Sequence, residues 1–308
     1  MGFRVFIDGQ EGTTGLEIYE HLSGRDDISL VPVDDRFRKD SVYKRERYEE
    51  ADVVILCLPD LAAREAVELM PGARFLDAST AHRTEQNWVY GLPELATQSR
   101  ISVSNAQYVS NPGCYPTGFL LAVRPLVDQD IVPDSQRLQV HAVSGYSGGG
   151  KKLIALYETQ RERLMDTRIY GLNLEHKHRP EMQCHAGLEH APFFSPAVGP
   201  FYRGMVVKFA LSKTDAAMVN DAWSSKYEHE PFVRVLPTGG GDILEDGFLS
   251  AELCNHTNRV DLLVSSNGED ALVCAVLDNL GKGAASAAVQ NLNLMLGIEE
   301  STGLRAFA

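Results

Sequence analysis

This sequence predicts an α/β protein of two domains, a parallel sheet wound with helices followed by a mixed sheet that carries helices of its own. Three observations lead there. Over the first hundred residues short apolar runs alternate with amphipathic segments, the pattern of βαβ units with right-handed crossovers. From about residue 137 the apolar runs lengthen and follow one another more closely, the texture of a mixed sheet. The 308 residues, 44% hydrophobic and 23% charged, have ordinary globular composition and more length than one small core organises.

In the first domain residues 3–8, 29–33, 52–58, 74–77 and 101–104 read as strands. Gly9, Gly12 and Gly15 lie between the first strand and a helix that begins near Thr14. Glycine permits a tight turn and a close backbone approach, and a helix N-terminus offers amide N–H groups to a pyrophosphate. The G-x-x-G-x-x-G spacing differs from the usual G-x-G-x-x-G, so an ordinary βα turn is the competing reading. Beyond the second strand Asp34 and Asp35 adjoin Arg36, Arg38 and Lys39. A carboxylate favours a ribose hydroxyl and a guanidinium favours a 2′-phosphate; the residues leave NAD and NADP open, with Arg36 tilting the expectation to NADP(H).

In the second domain residues 137–144, 205–211, 259–265 and 271–277 read as strands, and 151–165 and 214–228 as helices. A last helical segment, 283–296, is closed by Gly297 at a helix-cap position. Residues 111–118, NPGCYPTG, precede an apolar run and set Cys114 at the first turn of a helix. That position lowers a thiol pKa and brings backbone amides to an oxyanion, so Cys114 is the expected nucleophile. Cys57, Cys254 and Cys274 lie within or beside apolar strand patterns and read as inert core thiols. Five cysteines without a C-x-x-C pair suggest neither a disulfide framework nor a metal site.

Residues 176–181, HKHRPE, place His176, His178 and Glu181 within one short segment, with Pro180 marking the opening of a helix. An imidazole with an orienting carboxylate can give and take a proton; metal ligation is the rival reading, without a supporting cluster. The run from Ser144 to Gly150, followed by Lys151 and Lys152, leads from strand to helix. Its amides, the Ser147 hydroxyl and the lysines could cradle a phosphate, or form a flexible loop. Arg83 could clasp a phosphate or carboxylate in the bidentate manner, or lie on the surface. The net charge of −13 argues against nucleic acid and anionic membrane as partners. No stretch nears the roughly 18 apolar residues of a membrane span, and Asp8 interrupts the N-terminus before a signal-peptide core forms. A cytoplasmic protein acting on a small molecule is expected.

The segments NPGCYPTG (111–118), GQEGTTG (9–15), DASTAHR (77–83), YGLPE (90–94), VSGYSGGG (143–150), HKHRPE (176–181) and DNLGKGA (278–284) resemble, in content and order, those of the N-acetyl-gamma-glutamyl-phosphate reductases, in the shorter branch of that family. The resemblance covers nearly the whole chain. It implies a Rossmann-type dinucleotide-binding domain over 1–113, completed by a returning C-terminal segment, 283–308. It also implies a glyceraldehyde-phosphate-dehydrogenase-like catalytic and oligomerisation domain over 114–282. It implies NADPH-dependent reduction of an acyl phosphate through a cysteine thioester in arginine biosynthesis, by a homodimer or homotetramer.

Catalysis would then fall to Cys114, His176, His178 and Glu181. Cofactor binding would fall to Gly9, Gly12, Thr13, Thr14, Gly15, Arg36, Ser79, Gly148, Gly149 and Asn279, and substrate binding to Arg83, Asn111, Ser147 and Lys151. Another acyl-phosphate semialdehyde dehydrogenase, of the aspartate type, would keep this mechanism with a different substrate. A dinucleotide-binding redox sensor would bind NADP without turnover.

Overall fold

The computed structural model describes residues 2–34 and 36–306; Asp35 and the last two residues of the 283–308 segment lie outside them. Contacts divide the chain into two compact units, 1–112 with 284–304, and 113–283 with 305–308.

The first unit runs β1 (Phe3–Asp8), α1 (Thr13–Leu22), β2 (Ile28–Leu30), α2 (Ser41–Glu50), β3 (Val53–Leu56), α3 (Asp60–Leu69), β4 (Phe75–Asp77), β5 (Val89–Tyr90), α4 (Ser99–Asn105) and β6 (Tyr108–Ser110). Its six strands pair in the order β2-β1-β3-β4-β6-β5, all parallel. Side chains of a strand alternate between faces. Val5, Ile7, Val53 and Ile55 therefore pack with Ile18 and Leu22 of α1 on one side. Phe6, Val54 and Leu56 pack with Tyr48 of α2 and Ala63 and Ala66 of α3 on the other. Burial on both faces explains why these strands read as continuous apolar runs.

Residues 101–104, expected as a strand, are helical within α4. Ile-Ser-Val-Ser alternates in residue type, but Ile101 is exposed and Val103 buried, so the two do not share a face as a strand would require; four residues cannot separate a strand from one helical turn. Tyr108–Ser110 takes the place beside β4 instead.

The second unit runs α5 (Cys114–Asp128), β7 (Gln139–Gly145), α6 (Gly150–Thr159), β8 (Arg168–Ile169), α7 (Arg179–Ala186), β9 (Phe193–Gly199), β10 (Met205–Ser212), α8 (Ala216–Tyr227), β11 (Val233–Val235), β12 (Val260–Ser266) and β13 (Asp270–Leu277). The sheet order is β11-β12-β13-β10-β7-β9-β8, parallel at β7–β9 and β11–β12 and antiparallel elsewhere. The helix expected over 151–165 ends at Thr159 and gives way to a short 3-10 turn, Arg161–Arg163.

Pro125 lies inside α5 and removes the amide that would reach the carbonyl one turn earlier. The Tyr227 hydroxyl donates to that Leu121 carbonyl at 2.8 Å, and Trp223 Nε1 donates to the Ala122 carbonyl at 2.8 Å. Two buried aromatic residues of α8 thus satisfy the long, apolar helix that begins at Cys114.

After β13 the chain forms a π-helical turn, Gly281–Ala285, and then α9, Ser286–Leu296. Ala288, Val289 and Leu292 of α9 join the core of the first unit beside α1, and Gly297 ends the helix in the left-handed conformation at φ +69°. No helix among the described residues is long and apolar enough to cross a membrane.

Candidate active site

In the first unit the loop after β1 is shaped by its glycines. Gly9 has φ +88°, and a Cβ there would lie 2.4 Å from the Cys57 carbonyl oxygen at the end of β3. A Cβ on Gly15 would lie 2.5 Å from the Gly9 carbonyl oxygen. Gly12 is the N-cap of α1 and supplies no side-chain cap, and Thr13 and Thr14 form the first turn. The loop therefore sits between β1 and β3, where the strand order reverses, with the backbone bare and a helix N-terminus uncapped. That arrangement fits the pyrophosphate of a dinucleotide.

Beneath the loop the buried Asp8 carboxylate accepts from Lys44 Nζ at 2.8 Å and from the Tyr48 hydroxyl at 2.5 Å, contacts that no local sequence pattern signals. Arg36 grips Asp34 with Nε to Oδ1 at 3.0 Å and Nη2 to Oδ2 at 2.7 Å, which holds the Asp34 carboxyl below its ordinary range. Arg38 forms an ion pair with Glu11 of the glycine loop. The acid beyond the second strand is thus engaged by a guanidinium.

At the end of β4 the buried Asp77 accepts from the Ser79 amide at 2.9 Å and from the Ser79 hydroxyl at 2.7 Å. His82 Nδ1 approaches Asp77 Oδ2 at 2.7 Å, and its ring stacks on Trp88 at 4.1 Å. The turn so fixed carries Arg83, whose Nε donates to the Asn111 carbonyl at 2.9 Å and whose Nη2 donates to the Ala78 carbonyl at 3.1 Å. Arg83 is buried rather than on the surface. The Asn111 side chain donates to the Ala284 carbonyl at 2.9 Å and accepts from Asn291 Nδ2 at 3.0 Å.

In the second unit Cys114 is the first helical residue of α5. Gly113 is the N-cap and no side chain caps it, so the helix terminus acts on the sulfur. Three other cysteines lie where burial disfavours the thiolate. Burial, with Asp77 and Asp8 nearby, pushes Cys57 up to about 12. Burial and Asp261 push Cys254 up to about 12, and burial pushes Cys274 up to about 11. All three are thiols at neutral pH. Cys254 lies in a turn rather than in a strand, yet is buried.

α7 begins at Arg179 with Pro180 in its first turn and His178 as N-cap. Glu181 Oε1 accepts from the Gly113 amide at 2.7 Å, joining α7 to the residue before Cys114. His178 and Glu181 stand three residues apart and share one face of the helix. The His176 and His178 rings lie 4.8 Å apart, and the Tyr115 ring is 5.8 Å from the first and 5.9 Å from the second. The His178 amide donates to His176 Nδ1 at 3.2 Å, so neutral His176 carries its proton on Nε2. Burial and then Lys177 lower its pKa to about 4.

The Tyr170 hydroxyl meets the Tyr115 hydroxyl at 3.0 Å. Burial raises Tyr115 well above its usual value and Tyr170 to about 12, and in both cases the Cys114 charge adds to the effect. Both phenols stay neutral. Tyr170 carried no recognisable signal in the sequence; Tyr115 stood within NPGCYPTG.

The run from Ser144 to Gly150 lies between β7 and α6. The amides of Gly145, Tyr146 and Ser147 donate to the carbonyls of Gly204, Phe201 and Tyr202 at 2.9, 2.9 and 3.0 Å. Gly149 is the N-cap of α6 and offers no side chain. A Cβ on Gly148 would stand 3.3 Å from Ser144 Oγ and 3.5 Å from Asn279 Nδ2. Asn279 Nδ2 donates to Ser147 Oγ at 3.0 Å. Lys151 is exposed on α6.

Gly283, in the π-helical turn, leaves room for the nucleophile, since a Cβ there would lie 2.7 Å from Cys114 Cβ. Among the described residues no group of three His, Cys, Asp or Glu side chains could hold a metal ion.

Residues 4–102 match the family model described as the semialdehyde dehydrogenase NAD-binding domain, and residues 114–279 match that of the semialdehyde dehydrogenase dimerisation domain. N-acetyl-gamma-glutamyl-phosphate reductase 2 of Nostoc sp. is 49% identical, over 98% of this chain and 99% of that protein. N-acetyl-gamma-glutamyl-phosphate reductase 2 of Pseudomonas putida is 42% identical, over 97% and 98%. Among solved structures, aspartate semialdehyde dehydrogenase II of Vibrio cholerae superposes with a TM-score of 0.71 at 17% identity, over 96% of this chain and 99% of that one. That last likeness concerns the fold alone. The first unit is thus a nicotinamide-dinucleotide-binding domain, and the chain belongs to the N-acetyl-gamma-glutamyl-phosphate reductases of the semialdehyde dehydrogenase family.

Proposed function

We propose that this protein reduces N-acetyl-gamma-glutamyl phosphate to N-acetylglutamate semialdehyde with NADPH, releasing phosphate, as a step of arginine biosynthesis. The observation that carries the reading is Cys114 at the uncapped N-terminus of α5, joined through Gly113 to Glu181. Cys114 attacks the acyl carbon as a thiolate, the C–O bond to phosphate breaks, and a thioester forms. Gly9, Gly12, Thr13, Thr14, Gly15 and Ser79, with Gly148 and Gly149, would hold NADPH, which would supply the hydride for reducing the Cys114 thioester to a thiohemiacetal.

His178 gives a proton to the thiohemiacetal oxygen and takes it back as the C–S bond breaks, freeing the aldehyde and the Cys114 thiolate. His178 is preferred to His176 because it shares a helix face with Glu181, whose carboxylate already holds the peptide before Cys114. His176 stays neutral above pH about 4 and orients the His178 segment through its Nδ1. Glu181 fixes the approach of α7 to the nucleophile. Arg83, Asn111, Ser147 and Lys151 bind the acyl phosphate. NADP is preferred to NAD because Arg36 occupies the Asp34 carboxylate that would otherwise take a ribose hydroxyl. The dimerisation-domain match supports a homodimer or a homotetramer, and the five free thiols suit the cytoplasm.

The test is NADP reduction followed by nicotinamide absorbance, with N-acetylglutamate semialdehyde or aspartate semialdehyde, each with and without phosphate. Phosphate-dependent reduction of NADP with the acetylated substrate alone is expected. Turnover of the aspartate compound alone would reassign the substrate, and NADP binding without turnover of either would return a sensor.

A further inference from the structure

Asn279 is buried, and both ends of its amide are used. The Gly204 backbone N–H lies 2.8 Å from Oδ1 and Ser147 Oγ lies 3.0 Å from Nδ2. A backbone N–H can only donate, so the atom facing Gly204 must be the amide oxygen. The amide nitrogen is then committed to Ser147, and Ser147 Oγ must act as acceptor in that bond. A hydroxyl has one proton of its own. The Ser147 side chain is buried at 2% exposure, and among the described residues it makes no hydrogen bond other than the one from Asn279. Its backbone cannot turn to find another, because its amide is held by the Tyr202 carbonyl. A buried hydroxyl that has accepted but not donated is poised for an acceptor supplied from outside the protein.

We propose that Asn279 is a positioning residue that sets the polarity of Ser147. Held by Gly204, it forces the Ser147 hydroxyl to present its proton to an oxygen of the leaving phosphate rather than its lone pairs. The segment behind it is built to hold this state. Asp278, fully buried, accepts from the Leu280 amide at 2.9 Å and the His256 amide at 2.7 Å and pairs with Arg203 at 3.2 Å. Arg203 precedes Gly204, so the donor that locks Asn279 is itself anchored by the residue before Asn279. This assignment rests on the phosphate-cradle reading above, and it moves Asn279 from holding the cofactor to aiming the cradle.

The experiment compares wild type, N279D, S147A and the double variant in the aldehyde-oxidising direction, varying inorganic phosphate and NADP in turn. Asn279→Asp keeps the side-chain shape and an acceptor for Gly204, but replaces the donor with an acceptor, so Ser147 turns its proton inward. Losing a hydrogen bond to a charged ligand is worth about tenfold to a hundredfold. Both single variants are expected to raise the phosphate KM by that amount and to leave the NADP KM within about twofold.

In the S147A background, Asn279→Asp is expected to add only the few-fold effect of its charge. An unchanged phosphate KM in N279D, or equal effects of N279D in both backgrounds, would overturn the assignment. Should N279D not fold, N279L, close in shape and unable to donate to Ser147, takes its place, and a rise in the phosphate KM that vanishes in the S147A background is expected there too. If S147A spares phosphate and raises the NADP KM, the cradle reading fails, and the coupling in the NADP KM then decides the role of Asn279. If the semialdehyde is not turned over, protection of Cys114 from iodoacetamide by inorganic phosphate gives the same four affinities.

Discussion

Substituting alanine for Gly283 should disable the nucleophile while leaving the fold nearly intact. The new Cβ would lie 2.7 Å from Cys114 Cβ and 3.2 Å from Cys114 Cα, against 3.4 Å for an ordinary contact, so about 0.7 Å must be found. Gly283 cannot easily yield it. Its amide is bonded to the Asp278 carbonyl at 2.9 Å, that oxygen would itself stand 3.2 Å from the new Cβ, and Asp278 is fully buried. Much of the displacement therefore falls on the first turn of α5.

Reacting groups must be held to within about 0.5 Å, and an error near 1 Å costs about a hundredfold in rate. Overpacking costs about 1–3 kcal/mol, of which a glycine-to-alanine change in a helical turn returns up to about 1 kcal/mol. G283A should thus lose about tenfold to a hundredfold in kcat and only a few degrees in Tm. Steady-state turnover, a thermal melt and the pH dependence of Cys114 alkylation by iodoacetamide measure the three quantities. A folded G283A with kcat within about threefold of wild type would refute the contact as a determinant of nucleophile geometry.

Cys114→Ala should fold and lose all phosphate-dependent turnover, because no other group can form the thioester; a near wild-type rate would remove Cys114 from the mechanism. Arg36→Ala should raise the NADP KM about tenfold relative to the NAD KM, since it removes a guanidinium and exposes the Asp34 carboxylate; equal changes would count against a 2′-phosphate contact. Stability should also depend on His176. Its pKa is lowered from 6.5 to about 4 in the fold, so its contribution is complete above pH 6.5 and is lost as pH falls towards 4. The full shift corresponds to about 3 kcal/mol, which partial exposure to solvent reduces to about 1 kcal/mol. Urea unfolding at pH 7 and pH 4.5 should show a smaller loss in His176→Gln than in wild type, and equal losses would show that the ring does not titrate in this way.

The parallel strands and the Cys114 turn were legible because both rest on local chemistry. Continuous apolar runs such as Val53–Leu56 announce a strand buried on two faces, and β1, β10, β12 and β13 lie within a residue of the spans read from alternation. Glycines at 9, 12 and 15 state in the sequence that a backbone must come close. The proline and glycine around Cys114 likewise state that it opens a helix. α4 was misread because four alternating residues satisfy either period.

Other features depend on atoms distant in sequence. That Arg83 is clamped by the Asn111 and Ala78 carbonyls, that Glu181 reaches Gly113, and that Tyr170 meets Tyr115 are facts of packing with no local pattern. Gly283 is the clearest case. In sequence it is one small residue among several, and only the folded chain shows that a Cβ there would meet Cys114. The polarity of Ser147 is likewise set by Gly204 through Asn279, across separations of 75 and 132 residues. Sequence by itself determined which backbone conformations and which chemically able side chains are present, because these follow from residue type and near neighbours. The tertiary structure alone decided which of those side chains touch and which way each hydrogen bond runs, because that is settled only when distant segments exclude water from one another.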